Sequence, residues 1–412
     1  MLPLRSERLE EVLREVVETL APIERTPCSP GEREAAEWLA ARLGAVEGVS
    51  VTLEDEPSWG TFPPNATLVG LIGIAATVAA LRGRRVSAAA LALGCVGGLL
   101  DEAQNGPRVL RRAIRRRRST VNLVARAGDQ EAIETLVVLA HHDAPQTGLL
   151  FDQTLLRRAW ERNPERLGRA KTPLPQWWAG LAAPAGALLS ALTRRREPAA
   201  AGLVLGALGT AAVAQLWRGE TVQGANDNLS GVASLVALAE MLAADRPHGL
   251  RVLLVSCGAE ETLQDGIRAF IDRHGASLPL QSTTFLNLDT VGSPHLIMLE
   301  AEGPIWMEQY TGAWLRDLLA AHAERLEIPL ERGFRARAST DSVIPSRAGY
   351  PTATLVSITD WRAPANYHLP SDIPANLDYR TVAAATRLVE SVVRELAAKG
   401  AGELQAASAL RS

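Results

Sequence analysis

Residues 135–144, TLVVLAHHDA, carry an uncharged strand straight into two histidines and an aspartate. A continuous apolar run of this kind reads as a strand buried on both faces. Its polar residues fall just past the strand end, where open α/β sheets gather their active sites. Four further segments share the pattern of acidic or histidine side chains at loops beside apolar runs: GANDNLSG (224–231), GAEET (258–262), NLDTVG (287–292) and YHLPSD (367–372). Alone, a histidine after a strand is usually a satisfied polar residue, and adjacent glutamates are usually a solvated pair. The conjunction of five such segments in one chain points to a common centre.

The surrounding pattern supplies a scaffold for that centre. Leu9, Val12, Leu13, Val16 and Val17 share one face of a helix over 6–20. Ser29 and Pro30 suit the cap and first position of a helix whose apolar side holds Ala35, Trp38, Leu39 and Leu43. Residues 49–53 alternate as a strand. Beyond residue 224 the pattern predicts helices near 229–243, 264–274, 307–325 and 379–398, and strands at 251–257, 283–289, 295–299 and 352–357. Such alternation predicts an α/β, three-layer αβα sandwich around a mixed, mostly parallel sheet.

Taken in order, the five segments resemble the motifs of the bacterial leucyl aminopeptidase (aminopeptidase Y) family of zinc metallopeptidases, whose clan includes glutamate carboxypeptidases and glutaminyl cyclases. The resemblance covers residues 6–55, 119–150 and 220–398. It implies two zinc ions, with cobalt or manganese as possible occupants, and a peptide substrate. His141 and Asp289 would hold the first ion, Glu261 and His368 the second, and Asp227 would bridge them. Glu260 would be the general base of an aminopeptidase, and Asp143 would orient the His141 ring; His142 receives no role. Carboxylates and imidazoles without thiolates suit a hydrolytic zinc site. The resemblance also covers Ser339-Thr340-Asp341 ahead of Pro345 and Gly349-Tyr350-Pro351, where Asp341 would be structural, and it places a family aspartate at Asp372. His248, His274, His295 and His322 lie outside the motifs and are expected at the surface. The alternatives are a carboxypeptidase or glutaminyl cyclase of the same clan, or a catalytically dead membrane scaffold.

With 43 basic and 46 acidic residues the net charge is −3, which gives no general pull toward nucleic acid. Cys28, Cys95 and Cys257 are too few and too scattered for a disulfide framework. The opening MLPLRSERLEEVLREVV reads as a charged amphipathic helix and not as a secretion signal.

Two stretches depart from the family pattern. Residues 60–118 and 151–219 interrupt a catalytic domain made of 1–59, 119–150 and 220–412, and each holds a pair of apolar segments. The pairs are 66–81 with 86–100, and 177–192 with 199–217; arginines Arg82, Arg84 and Arg85 mark one tip and Arg194 to Arg196 the other. These read as two inserted helical hairpins crossing a membrane, an even number of spans that returns the chain to one side. Trp59, Trp177, Trp178 and Trp217 stand at the domain-facing ends, as an interfacial belt requires. A soluble lid or dimerisation arm is the competing reading, because 66–81 would span only about 24 Å against about 30 Å of hydrocarbon. Basic residues crowd the domain side, at Arg108, Arg111, Arg112 and Arg115 to Arg118, then at Arg157, Arg158, Arg162, Arg166, Arg169 and Lys171. That bias places the catalytic domain on the cytoplasmic side, with a soluble cytoplasmic protein as the alternative.

Overall fold

The computed structural model describes residues 6–173 and 176–409. The chain opens with helices α1 (Ser6–Leu20) and α2 (Pro30–Gly44), strand β1 (Ser50–Ser58), and helices α3 (Pro63–Leu81), α4 (Arg85–Ala103) and α5 (Val109–Ile114). Strands β2 (Arg118–Gly128) and β3 (Glu134–His141) follow, then short helices α6 (Thr154–Arg162) and α7 (Pro164–Gly168) and the long pair α8 (Ala182–Thr193) and α9 (Glu197–Leu216). Next come α10 (Ser230–Ala244), β4 (Leu250–Cys257), α11 (Asp265–His274), β5 (Thr283–Leu288), β6 (His295–Glu302) and β7 (Glu308–Gln309). The chain closes with α12 (Ala313–Arg325), β8 (Glu331–Ala336), α13 (Val343–Arg347), β9 (Thr352–Ile358) and α14 (Tyr379–Ala409).

One mixed sheet runs in the order β1-β2-β4-β3-β5-β9-β6-β7, with β8 beside β6. Its centre, β4-β3-β5-β9, is parallel, while β1, β2 and β7 pair antiparallel toward the edges. The two faces explain the unbroken apolar run of β3. Leu136, Val138 and Ala140 enter the core under α1, α10 and α14, while Val137 and Leu139 enter the core under α11. Helices therefore cover both faces, giving the expected αβα sandwich. The α1 stripe Leu9, Val12, Leu13, Val16, Val17 and Leu20 is wholly buried. Ser29 caps α2, its Oγ accepting from Glu32 N at 3.1 Å.

Some boundaries moved. The helix expected from 307 starts only at Ala313, because Gly312 takes a left-handed φ of 74° and 308–309 pair with β6. The strand expected at 49–53 runs on to Ser58, held by its register with β2. Among the supposed surface histidines, His322 is buried and His274 half-buried, each engaged by a neighbour: Ser391 bonds His322, and Glu54 lies 2.9 Å from His274. His248 and His295 are exposed as expected.

The two apolar insertions form one structure. α3, α4, α8 and α9 pack against one another as a four-helix bundle. Its centre is lined by Ala76, Ala80, Ala88, Ala92, Ala187 and Ala199, whereas Leu93, Leu189, Leu192, Val204, Leu205 and Leu208 point outward. Small residues let backbones meet: a Cβ on Gly186 would lie 2.4 Å from Pro198 O and 3.0 Å from Gly202 Cα. At 19 residues, α3 reaches about 28 Å, longer than the sequence segment suggested. α8 has only 12 α-helical residues, extended at its start by the tighter 3₁₀ turn Gln176–Leu181.

The chain after the first hairpin returns into the αβα sandwich. Arg108 and Arg111 are 1% and 0% exposed, so they are not flanking charges at an interface. Arg108 pairs with Asp265; Arg111 pairs with Glu102 and donates to Thr262 O at 2.6 Å. Buried guanidinium groups of this kind are tolerated only when paired.

Candidate metal centre

The parallel strands aim their C-terminal ends at one point. His141 ends β3, Glu260 and Glu261 lie just past β4, Asp289 follows β5, and His368 sits in the loop after β9. Asp227 comes from the turn that opens α10, where the Asp227–Asn228 peptide is cis. All six are brought together and buried, apart from Glu261, which is half-buried.

The geometry divides them into overlapping groups. His141, Asp227 and Asp289 offer donor atoms within 4.8 Å of one another, and so do Asp227, Glu261 and His368. Asp227 is common to both: its Oδ1 faces His141 Nε2 at 3.3 Å and its Oδ2 faces His368 Nε2 at 3.0 Å. Glu261 Oε1 lies 3.4 Å from the same His368 nitrogen. Asp227 Oδ2 and His368 Nε2 are buried yet lack a well-directed hydrogen-bond partner. Two donors converging without satisfying each other fit a shared cation. A third group of His141, Glu260 and Glu261 meets the same distance test, but Gln264 already engages the Glu260 carboxylate at 2.5 Å.

Four carboxylates face two imidazoles here, more acid than the group neutralises internally. Burial pushes Glu260 well above its ordinary range, raises Glu261, and takes Asp289 to about 7. Burial opposes the charge of Asp227 too, but the His141 and His368 rings hold it below the usual carboxylate range. For His368, Glu261 and Asp227 overcome burial and raise the imidazole to about 10. Such a set could accommodate a bound cation, which would invert this balance.

Supporting contacts explain why the ligands stand where they do. Asp143 lies 3.4 Å from His141 Nδ1, and its stronger bonds run elsewhere: its two oxygens accept Glu260 N at 3.1 Å and Glu261 N at 2.9 Å. It therefore ties the β3 and β4 loops together besides facing the ring. Asp372 does the same for the Asp227 turn, accepting Asn226 N at 2.8 Å and Asp227 N at 3.1 Å. Asp341 is buried beside Cys257 and shares no ligand group. His142 turns away, its Nδ1 3.0 Å from Ser256 Oγ.

Sequence reasoning missed several of the residues around the centre. Arg25 is buried and donates to Leu20 O, His142 O and Gln223 O, clamping two ligand loops. Phe151 and Tyr367 flank the His368 ring with centroids 4.1 and 4.0 Å away. Gln264 and Asn105 complete a buried network on Glu260. Only Tyr367, adjacent to the final histidine, carried a signal in the sequence.

A cavity of about 560 Å³ opens from the ligands His141, Asp227, Glu261 and Asp289. A smaller cleft beside Glu261 and His368 is walled by Phe62, Pro63 and Leu216, at the base of the helical bundle.

Residues 207–393 match the family model described as Peptidase family M28. No curated protein matches the chain. Among solved structures, a Zn-dependent exopeptidase from Parabacteroides distasonis is similar at a TM-score of 0.54 and 13% identity, over 93% of this chain and 97% of that one. An aminopeptidase from Aneurinibacillus sp. strain AM-1 is similar at 0.53 and 14%, over 94% and 93%. A glutaminyl cyclase from Porphyromonas gingivalis matches equally, at 0.53 and 14%, over 94% and 98%. At such identities the structures speak for the fold alone. The family match spans Asp227, Glu260, Glu261, Asp289 and His368, and over residues 207–393 this chain is similar to Peptidase family M28.

Proposed function

We propose that this protein is a di-zinc aminopeptidase that removes N-terminal residues from short peptides at a membrane surface. The observation that carries the two-metal reading is Asp227, whose two oxygens each face a different imidazole, with Asp289 completing one triad and Glu261 the other. An anionic bridge of this kind suits two dications about 3.5–4 Å apart. Bound there, the ions would supply an acidified water and polarise the scissile carbonyl. The protein's own part falls to Glu260. Its carboxylate takes the proton of the attacking water and passes it to the leaving amine. Gln264 holds that carboxylate, and Asp143 holds the backbone on which it sits.

The helical bundle supports the membrane half of the proposal. A soluble bundle buries its large apolar side chains, whereas this one is centred on alanine and exposes Leu93, Leu189, Leu192, Val204, Leu205 and Leu208, although Val69 and Leu99 are buried near its base. α3, α4 and α9 are long and apolar enough to cross a bilayer. α10 meets the same length and composition test but is 83% buried in the sandwich, so it is a core helix. Trp178 and Trp217 are exposed at the bundle's base, where indoles favour the interface. Arg112 and Arg116 to Arg118 remain exposed on the catalytic side and favour a cytoplasmic catalytic unit.

The test is hydrolysis of leucine p-nitroanilide by purified protein. Activity should vanish with chelator and return with zinc, and Glu260→Gln should keep bound zinc while losing turnover. Full zinc-dependent activity in Glu260→Gln would sink the mechanism. The expressed protein should sediment with membranes and need detergent for release; recovery in the high-speed supernatant would overturn the spanning bundle.

A further inference from the structure

The cavity that holds the cluster of candidate metal-binding residues is also lined by positive charge: Lys171, Arg335, Arg337 and Arg362. Among its described lining residues the only carboxylate outside that cluster is Asp152, whose Oδ1 accepts Thr154 N at 2.8 Å as the start of α6. Arg362 is already paired, to Glu331 at 3.0 Å, and Lys171 donates to Arg332 O at 2.5 Å. Arg335, which is exposed, and the half-buried Arg337 are different: among the described residues neither forms an ion pair. Arg337 Nε is buried without a hydrogen-bond partner, and its guanidinium lies 5.5 Å over Trp178. The Trp178 indole is itself anchored to Ile305 O at 3.1 Å, so the second insertion braces this side chain. Arg335 projects from the edge strand β8, whose neighbour Phe334 lies in the adjoining core.

Unpaired guanidinium groups walling a site of this size are built to receive a planar anion through two parallel N–H bonds. We propose that Arg335 and Arg337 form a carboxylate subsite that selects short peptides bearing a negative charge beyond the scissile bond. The proposal rests on the exopeptidase reading of the metal centre. The carboxylate could be the peptide's own C-terminus or an acidic side chain, and the chemistry of recognition is the same.

Two substrate pairs separate these sources: Leu-Gly-Gly against its C-terminal amide, and Leu-Gly-Glu-amide against Leu-Gly-Gln-amide. The zinc-loaded enzyme should favour the charged member of at least one pair by about tenfold in kcat/KM, mostly through KM. Preference in the first pair alone identifies the α-carboxylate, and in the second alone the side chain. Arg335→Gln with Arg337→Gln should bring the ratio close to one, and Arg337→Glu should reverse it. Equal rates within both pairs, or variants that slow both members alike, would overturn the subsite. The same peptides are titrated calorimetrically into zinc-loaded Glu260→Gln. A binding difference that the double variant abolishes supports the subsite even if no peptide is cleaved, an outcome that would count against the aminopeptidase reading alone. Identical affinities for both members of each pair would overturn it there as well.

Discussion

Gln264 donates its side-chain amide to Glu260 Oε1 at 2.5 Å, and this contact orders the proposed general base. The direction of the amide is set by its surroundings. Asn105 Nδ2 and Ser339 Oγ both donate to Gln264 Oε1, at 2.8 and 3.0 Å, which leaves the NH₂ for Glu260 and for Ser339 O at 2.9 Å. Asn105 lies on the return from the first hairpin and also accepts from Arg108, so an insertion braces the proposed general base. Gln264→Leu should therefore lower kcat by about 10- to 100-fold, a misplacement effect, while KM and zinc content stay close to wild type. Equal losses in kcat and zinc content would show a structural role instead.

Asp143→Asn tests the second brace. The substitution removes one acceptor from the pair that holds Glu260 N and Glu261 N, and weakens the field on His141. Zinc affinity should fall by about 10- to 100-fold, as for other residues that support ligands. Competition against a chromogenic chelator measures it, and unchanged affinity would argue that Asp143 acts on the ring alone or not at all.

Arg108→Met should be costly. Arg108 and Asp265 are both buried, and removing Arg108 leaves Asp265 only the longer ion pair to Arg111 at 3.9 Å, a loss of up to about 3–5 kcal/mol. Ser58 Oγ donates to Asp265 at 2.7 Å and loses that acceptor in the double variant Arg108→Met with Asp265→Leu, which should therefore recover only part of that loss. Thermal unfolding of the single and double variants in detergent decides between these outcomes.

Glu302 gives the stability a pH slope. It is fully buried, accepts Thr340 N at 2.9 Å, and burial pushes its carboxyl up to about 8. Between the unfolded value near about 4.5 and the folded one, the native chain keeps a proton that the unfolded chain releases. Its contribution is complete below the lower value and is lost as pH rises through the upper one. Glu302→Gln should flatten the fall in Tm from pH 5 to pH 8 relative to wild type. A slope identical in both proteins would remove Glu302 as its source.

The amino-acid sequence by itself determined the alternation of strands and helices, the apolar pairs, and the residues that meet at the strand ends. These are periodic or local signals: β3 is apolar throughout because both its faces are buried, and His141 falls where it ends. Only the tertiary structure decided which charges are interior. Arg108 and Arg111 read as a basic flank until Asp265 and Glu102, distant or nine residues away, neutralise them. His322 likewise looked like a surface residue until it met Ser391 on α14. The inside-out bundle, the Asn105–Gln264–Glu260 chain and the unpaired Arg335 and Arg337 also depend on segments remote in sequence. Periodicity records which face of an element avoids water; which partner satisfies a buried charge is a property of packing, and no spacing along the chain encodes it.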